Sequence, residues 1–200
     1  RPGEISLAHR GVLFLDELPE FRRDLLEALR QPMEGGKVMI SRVKDNVEFP
    51  AKFLLIAAMN PCPCGYYGDD SSTGSGQGKE CRCSAYEVIR YQKKISGPLL
   101  DRIDLQINVP RVKIEHLQNK ERDQKSAEEM RKKILQAREI QKKRFHAKKG
   151  ILTNSEMSSK MCDELIELNK EADQFLKDIF EKSLISARGY YRILKTARTI

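Results

Sequence analysis

Two short apolar runs, "VLFL" at residues 12–15 and "FLLIAAM" at 53–59, constrain this chain more than any other feature. Neither alternates apolar with polar residues and both are too short for a buried helix, so each reads as a strand covered on both faces. Between them Phe21, Leu25, Leu26, Ala28 and Leu29 recur at helical spacing, and the helix they define is expected to end at Pro32 and Gly35-Gly36. Two buried strands separated by a helix form the pattern of a parallel sheet, which makes the first part of the chain α/β. A hairpin interrupts it, with Val38 to Val43 and Asn46 to Phe49 as antiparallel strands turned at Lys44-Asp45.

Each apolar run closes on polar residues. Asp16-Glu17 follows the first and Asn60 the second, and open α/β sheets bind ligands at the carboxyl ends of their strands. A strand ending in Asp-Glu has the form of a nucleotide-hydrolysing Walker B motif, in which the first acid holds Mg²⁺ and the second polarises the attacking water. Taken alone, the pair also reads as an ordinary exposed strand end. A second strand that ends on an amide, Asn60, favours the catalytic reading.

In "SGPLLDRIDLQINVPRV", Leu105, Ile107 and Val109 alternate as a strand would, and Pro110 marks a boundary. The remainder reads as helical: one long basic helix near 120–147 and shorter ones near 155–168, 171–183 and 187–200, with Thr153 and Glu156 spaced as a capping box. Two domains are therefore expected, 1–110 and 111–200. The net charge of +8 lies entirely in the second, with 22 basic and 14 acidic side chains against 15 and 15 in the first. Arg131 to Lys149 holds nine Lys or Arg against Glu139 alone. That segment reads as the solvated side of a helix whose buried face is Ala127, Met130, Ile134 and Ala137, or as a contact for a polyanion.

Cys62, Cys64, Cys81 and Cys83 form C-x-C, 16 residues, C-x-C, around the Gly/Ser-rich loop "GYYGDDSSTGSGQGKE". Four thiolates would make a closed zinc site, although the usual structural spacing is C-x₂-C, and free thiols are the alternative. Cys162 reads as a core residue with Leu165 and Ile166, and His9, His116 and His146 lack ligand-like companions. No apolar run approaches the roughly 20 residues of a membrane span. The opening Arg1-Pro2-Gly3-Glu4 has neither Met nor the look of a signal peptide, so a cytoplasmic fragment of a longer chain is expected.

The blocks "RPGEISLAHRGVLFLDELPEF", "AAMNPCPCG", "SGPLLDRIDL" and "SARGYYRILKTARTI" together resemble the Mg-chelatase-like branch of the AAA+ ATPases, of the ComM type, along essentially the whole chain. The resemblance implies the second half of a P-loop NTPase core with its parallel sheet, followed by an all-α helical lid. It also implies ATP and Mg²⁺ as cofactors and a hexameric ring that moves DNA by branch migration in natural transformation and recombination. By the same resemblance Asp16 is the magnesium residue, Glu17 the catalytic base and Asn60 the sensor-1 residue. Arg102 is the arginine finger acting in a neighbouring subunit, and Arg188 the sensor-2 residue of the lid. The hairpin stands where related motors carry a pore-facing insertion, which makes Arg42 and Lys44 candidates for DNA phosphates; a solvated hairpin is the alternative. One part is missing. A hydrolase of this kind needs G-x-x-x-x-G-K-[ST], and the nearest approach, "GSGQGKE" at 74–80, has its first Gly one residue too close, Glu80 in place of Ser or Thr, and no strand before it. Two other functions stay open: a magnesium-chelatase-type motor subunit acting on a protein partner, which DNA would not stimulate, and a zinc-dependent nucleic-acid-binding module, whose binding a chelator would abolish.

Overall fold

The computed structural model describes residues 2–41, 46–68, 80–109, 124–148, 150–182 and 185–199. They fall into two compact units, Arg1–Arg111 and Val112–Ile200. Arg42, Lys44, the turn at Lys44-Asp45, Pro110, His116 and the loop residues 69–79 lie outside the described residues.

In the first unit, helix α1 (Glu4–Leu7) leads into strand β1 (Val12–Leu15) and a 3₁₀ turn (Leu18–Glu20). Helices α2 (Arg23–Ala28) and α3 (Arg30–Gly35) follow, then the hairpin β2 (Lys37–Ser41) and β3 (Asn46–Pro50), strand β4 (Leu54–Ala57), and helices α4 (Ala85–Gln92) and α5 (Gly97–Leu100). β1 and β4 are parallel neighbours in the register Val12↔Leu54 to Leu15↔Ala57, and β2 and β3 pair antiparallel from Lys37↔Pro50 to Ser41↔Asn46. The α/β reading with a parallel sheet holds.

The two parallel strands are buried on one face, not both. Leu13 and Leu15 pack on a cluster of Leu18, Leu26, Leu29, Ile95 and Leu99. Val12 and Phe14, with their register partners Leu54 and Ile56, are exposed. Among the described residues helices cover one side of this pair, so the apolar side chains of the other side meet solvent. Leu99, 1% exposed at the centre of the cluster, is expected to lose about 2–5 kcal/mol of stability on truncation to Ala, through lost burial and a residual cavity. Urea unfolding followed by far-UV circular dichroism measures it.

Two elements differ from expectation. Pro32 does not end the helix but sits buried in the first turn of α3, which starts after Leu29. A first-turn N–H has no carbonyl to bond, so proline costs nothing there. The helix ends at Gly36, as expected, with φ +63°, where a Cβ would stand 2.8 Å from Lys52 Cγ. Leu105, Ile107 and Val109 form no strand and are exposed; alternation alone does not make a strand without an edge to pair with.

The second unit is all-α among its described residues: α6 (Gln124–Phe145), a 3₁₀ turn (Asn154–Glu156), α7 (Ser159–Leu165), α8 (Lys170–Glu181) and α9 (Ala187–Ala197). Ser158, Asn169 and Ser186 cap the last three through their side chains. Glu156 accepts the N–H groups of Leu152 and Thr153, so the expected cap closes a 3₁₀ turn. The expected buried face of α6 is not one: Met130 and Ile134 are exposed. The helix is anchored at its C-terminal end, where Phe145 packs with Met157 and Cys162 and Gln141 accepts the N–H of buried Asn154.

Candidate functional site

The parallel register carries Asp16-Glu17 and Asn60 to the same edge of the sheet, because both chains run on past their paired ends. Ala58 N–H donates to Leu15 O at 2.9 Å and Leu18 N–H to Ala58 O at 3.0 Å. At Glu17 the backbone turns left-handed, φ 50° and ψ 45°, a conformation an L-residue adopts at a cost of about 1–2 kcal/mol. Glu17 N–H donates to Asp16 Oδ1 at 2.9 Å, fixing that carboxylate. Asp16, Glu17 and Asn60 are all exposed.

Glu17 and Asn60 open on a cleft of about 440 Å³ lined also by Glu20, Pro63, Glu87, Arg90, Tyr91 and Lys94. Helix α4 forms its far wall, and the helix and the turn after it are bonded to the segments beyond the strand ends at three points. Lys94 Nζ pairs with Glu20 at 3.2 Å, Gln92 Nε2 donates to Pro61 O at 3.1 Å, and the Tyr91 hydroxyl accepts the backbone N–H of Asn60. Burial, then the charges of Glu20, Glu17 and Cys62, raises the Tyr91 phenol above its ordinary value. Tyr91 lines the same cleft as Glu17 and Glu20. Glu87, Arg90 and Tyr91 lie on one face of α4 and Lys94 in the turn after it, a spacing visible in the sequence, yet the reading from sequence passed over Arg90, Tyr91 and Lys94.

Immediately beyond Asn60, the sulfurs of Cys62, Cys64, Cys81 and Cys83 all lie within 4.8 Å of one another. Cys62 and Cys64 are 3.3 Å apart, Cys62 and Cys81 3.8 Å, Cys64 and Cys81 3.6 Å, and none is in a disulfide. Four sulfurs at the Zn–S distance of 2.3 Å define a tetrahedron with edges of about 3.8 Å, so the donor set fits that metal. Burial opposes ionisation of Cys64, yet the N–H groups of Arg82 and Tyr66 and the thiols of Cys62 and Cys83 bring it down to about 6. Cys83 accepts the N–H of Cys64, but burial and the sulfurs of Cys64 and Cys62 push it up to about 12. One thiolate discourages the next, and a bound dication removes that opposition.

Arg102 lies in a different cleft, with Glu27, Arg30, Gln31, Glu34 and Gly35. Its side chain is 9% exposed and pairs with Glu34 of α3 at 2.6 Å, while Nη1 donates to Pro98 O. This pairing with Glu34 replaces the neighbouring Asp101 or Asp104 that adjacency alone would choose. Arg188 is exposed in the first turn of α9, in the second unit. His9, expected to be structural, accepts the N–H of Lys52 through Nδ1 at 3.1 Å, and Cys162 is fully buried in the second core, as expected.

Residues 1–117 match the model of the magnesium chelatase subunit ChlI family, and residues 124–200 match that of the ChlI C-terminal region. The chain belongs to the magnesium chelatase ChlI family. Within this family it is 45% identical over 200 residues to the competence protein ComM of Haemophilus influenzae, covering all of this chain and 36% of that protein. It is 39% identical over 199 residues to YifB of Salmonella typhimurium, covering 37% of it. The magnesium-chelatase 38 kDa subunit of Acidiphilium rubrum matches at 33% over 60 residues, 30% of this chain and 17% of that one. The chain thus spans a little over a third of the length of the ChlI-family relatives that match it end to end. No described helix is long and apolar enough to cross a membrane.

Proposed function

We propose that this chain is the hydrolytic edge and helical lid of an AAA+ ATPase that, as a full-length cytoplasmic protein, forms a homo-hexameric ring and moves DNA by branch migration. The observation that carries the reading is the parallel pairing of β1 with β4, which sets Asp16-Glu17 and Asn60 side by side at the carboxyl ends of adjacent strands. Two exposed carboxylates beside an amide are oxygen donors suited to a hard cation and to a water molecule. Mg²⁺, when bound, supplies positive charge to the phosphate oxygens of ATP. Asp16 holds the metal, Glu17 accepts a proton from the attacking water, and the Asn60 amide orients that water. Arg102 lies outside the cleft that holds Glu17, which supports its acting on a neighbouring subunit; Arg188 is the sensor-2 residue of the lid. Zinc on the four cysteines is a further cofactor.

The phosphate cradle is not among these 200 residues. The test compares the full-length protein with this chain. Phosphate release from ATP and Mg²⁺ is expected from the full-length protein, accelerated by branched or single-stranded DNA, and none above blank from the chain by itself. Replacing Arg42 and Lys44 is expected to remove the acceleration by DNA. A full-length protein without ATPase activity refutes the proposal. A magnesium-chelatase-type motor working on a protein partner is the second reading, supported by the family itself; activity indifferent to DNA favours it. A zinc-dependent nucleic-acid-binding module, the remaining alternative, leaves the geometry of Asp16, Glu17 and Asn60 without a role.

A further inference from the structure

We propose that Cys62, Cys64, Cys81 and Cys83 hold one zinc ion whose role is to position Asn60, so that this metal centre acts as the mount of the water-orienting amide. The inference rests on the ATPase reading for its catalytic consequence, and on geometry for the rest.

Asn60 has little else to fix it. It is exposed and stands three residues beyond the last residue of β4. Its immediate support is the turn Cys62–Gly65, closed by Gly65 N–H donating to Cys62 O at 3.0 Å. The Asn60 side chain rests over that turn, for a Cβ on Gly65 would stand 3.9 Å from Asn60 Cγ and Oδ1. Both cysteines of the first pair belong to this turn, and Cys62 is fully buried.

The second pair belongs to the opposite wall. Cys83 directly precedes Ser84, the N-cap of α4, whose hydroxyl accepts the Glu87 N–H while Glu87 accepts the Ser84 N–H at 2.8 Å. From α4, Tyr91 takes the Asn60 N–H and Gln92 binds the carbonyl of Pro61. The four sulfurs therefore join two segments that grip Asn60 from both sides: the turn beneath its side chain and the helix against its backbone. The two pairs are separated in sequence by residues 65–80, and the turn and the helix they belong to need a rigid connection between them. A tetrathiolate zinc supplies it, because structural zinc contributes folding free energy directly. N–H groups of Tyr66, Arg82, Cys83 and Cys64 point at the sulfurs, the outer-shell bonding that fixes thiolate ligands.

Zinc measured by atomic emission on this chain, purified with zinc present, is expected at about one ion per chain and at none in Cys81→Ser. Cobalt in its place is expected to give the absorption of a tetrahedral thiolate site. A chain without stoichiometric zinc, or one holding an iron–sulfur chromophore, overturns the assignment. Positioning is read by hydrogen exchange: removing zinc should expose the Asn60 amide while the β1–β4 amides stay protected, and an unchanged Asn60 amide overturns it. In the full-length ATPase, zinc removal and Tyr91→Phe should each lower kcat, the former by about 10-fold or more, with KM for ATP nearly unchanged. Tyr91→Phe should keep its zinc. A change in KM alone refutes the positioning role. Should the full-length protein lack ATPase activity, zinc content and amide exchange still decide the metal mount, and the failure belongs to the ATPase reading.

Discussion

Glu17→Gln in the full-length protein is expected to slow ATP hydrolysis by about 10²–10⁴-fold, the contribution of a positioned general base, and to leave ATP binding intact. The substitution keeps size and hydrogen-bonding reach while removing the capacity to accept a proton. Nothing structural should follow from it, because Glu17 is exposed and buries no part of the core. Its left-handed backbone is set by the chain on either side: Leu15 is locked in the sheet and Leu18 is buried in the core and bonded to Ala58 O. The amide should therefore occupy the carboxylate's place. Phosphate release in single turnover reads the chemical step and a fluorescent nucleotide reads binding. A rate within a few-fold of the parent removes Glu17 from the mechanism.

Arg102→Ala is expected to cost about 10³–10⁵-fold, as for arginine fingers at phosphoryl groups, and to do so in the neighbouring subunit. Glu34 accounts for how the guanidinium is kept before it is used: the pair is short and Arg102 is nearly enclosed. An arginine that only stabilised its own subunit would tolerate this mutation in catalysis once the protein was folded. Mixing separates the two roles. Arg102→Ala and Glu17→Gln subunits are each inactive alone, but random co-assembly should restore roughly a quarter of the interfaces of a head-to-tail ring, those that join an intact Glu17 to an intact Arg102. Mixed rings with no recovery, although assembled, refute action in trans. Arg102→Lys should recover little, since a compact ammonium lacks the planar fork.

What was legible in the sequence follows from how local the cause is. β1 and β4 are encoded in four-residue runs and their polar ends in the next residues, so both strands and the grouping of Asp16, Glu17 and Asn60 were readable. Their exposed side was not, because burial of Phe14 or Ile56 depends on what lies across the sheet. The same limit applies to α6: its period is in the sequence, but whether Met130 meets a partner is not. Pro32 shows a finer dependence, since its effect reverses within one turn of helix according to where α3 starts. The cysteine pattern and the meeting of its two pairs were both legible, because four thiols in two close pairs suit one tetrahedral site; that the second pair reaches the first beside α4 was not. Glu34 was missed as the partner of Arg102 because the two are distant in sequence and share no periodicity; Arg90 and Tyr91 were missed too, although their spacing on one face of α4 was there to be read.

Glu17 shares its left-handed backbone with only one other non-glycine among the described residues, Arg10. Glycine would take that conformation without the steric penalty of a Cβ. Under the proposed ATPase reading, stability and activity therefore pull this position in opposite directions: the side chain that would serve as the base is one the backbone would rather not carry. Selection for heat resistance alone would drift toward glycine here and, under the proposed ATPase reading, silence hydrolysis, leaving a sturdier protein whose sheet edge still looked intact.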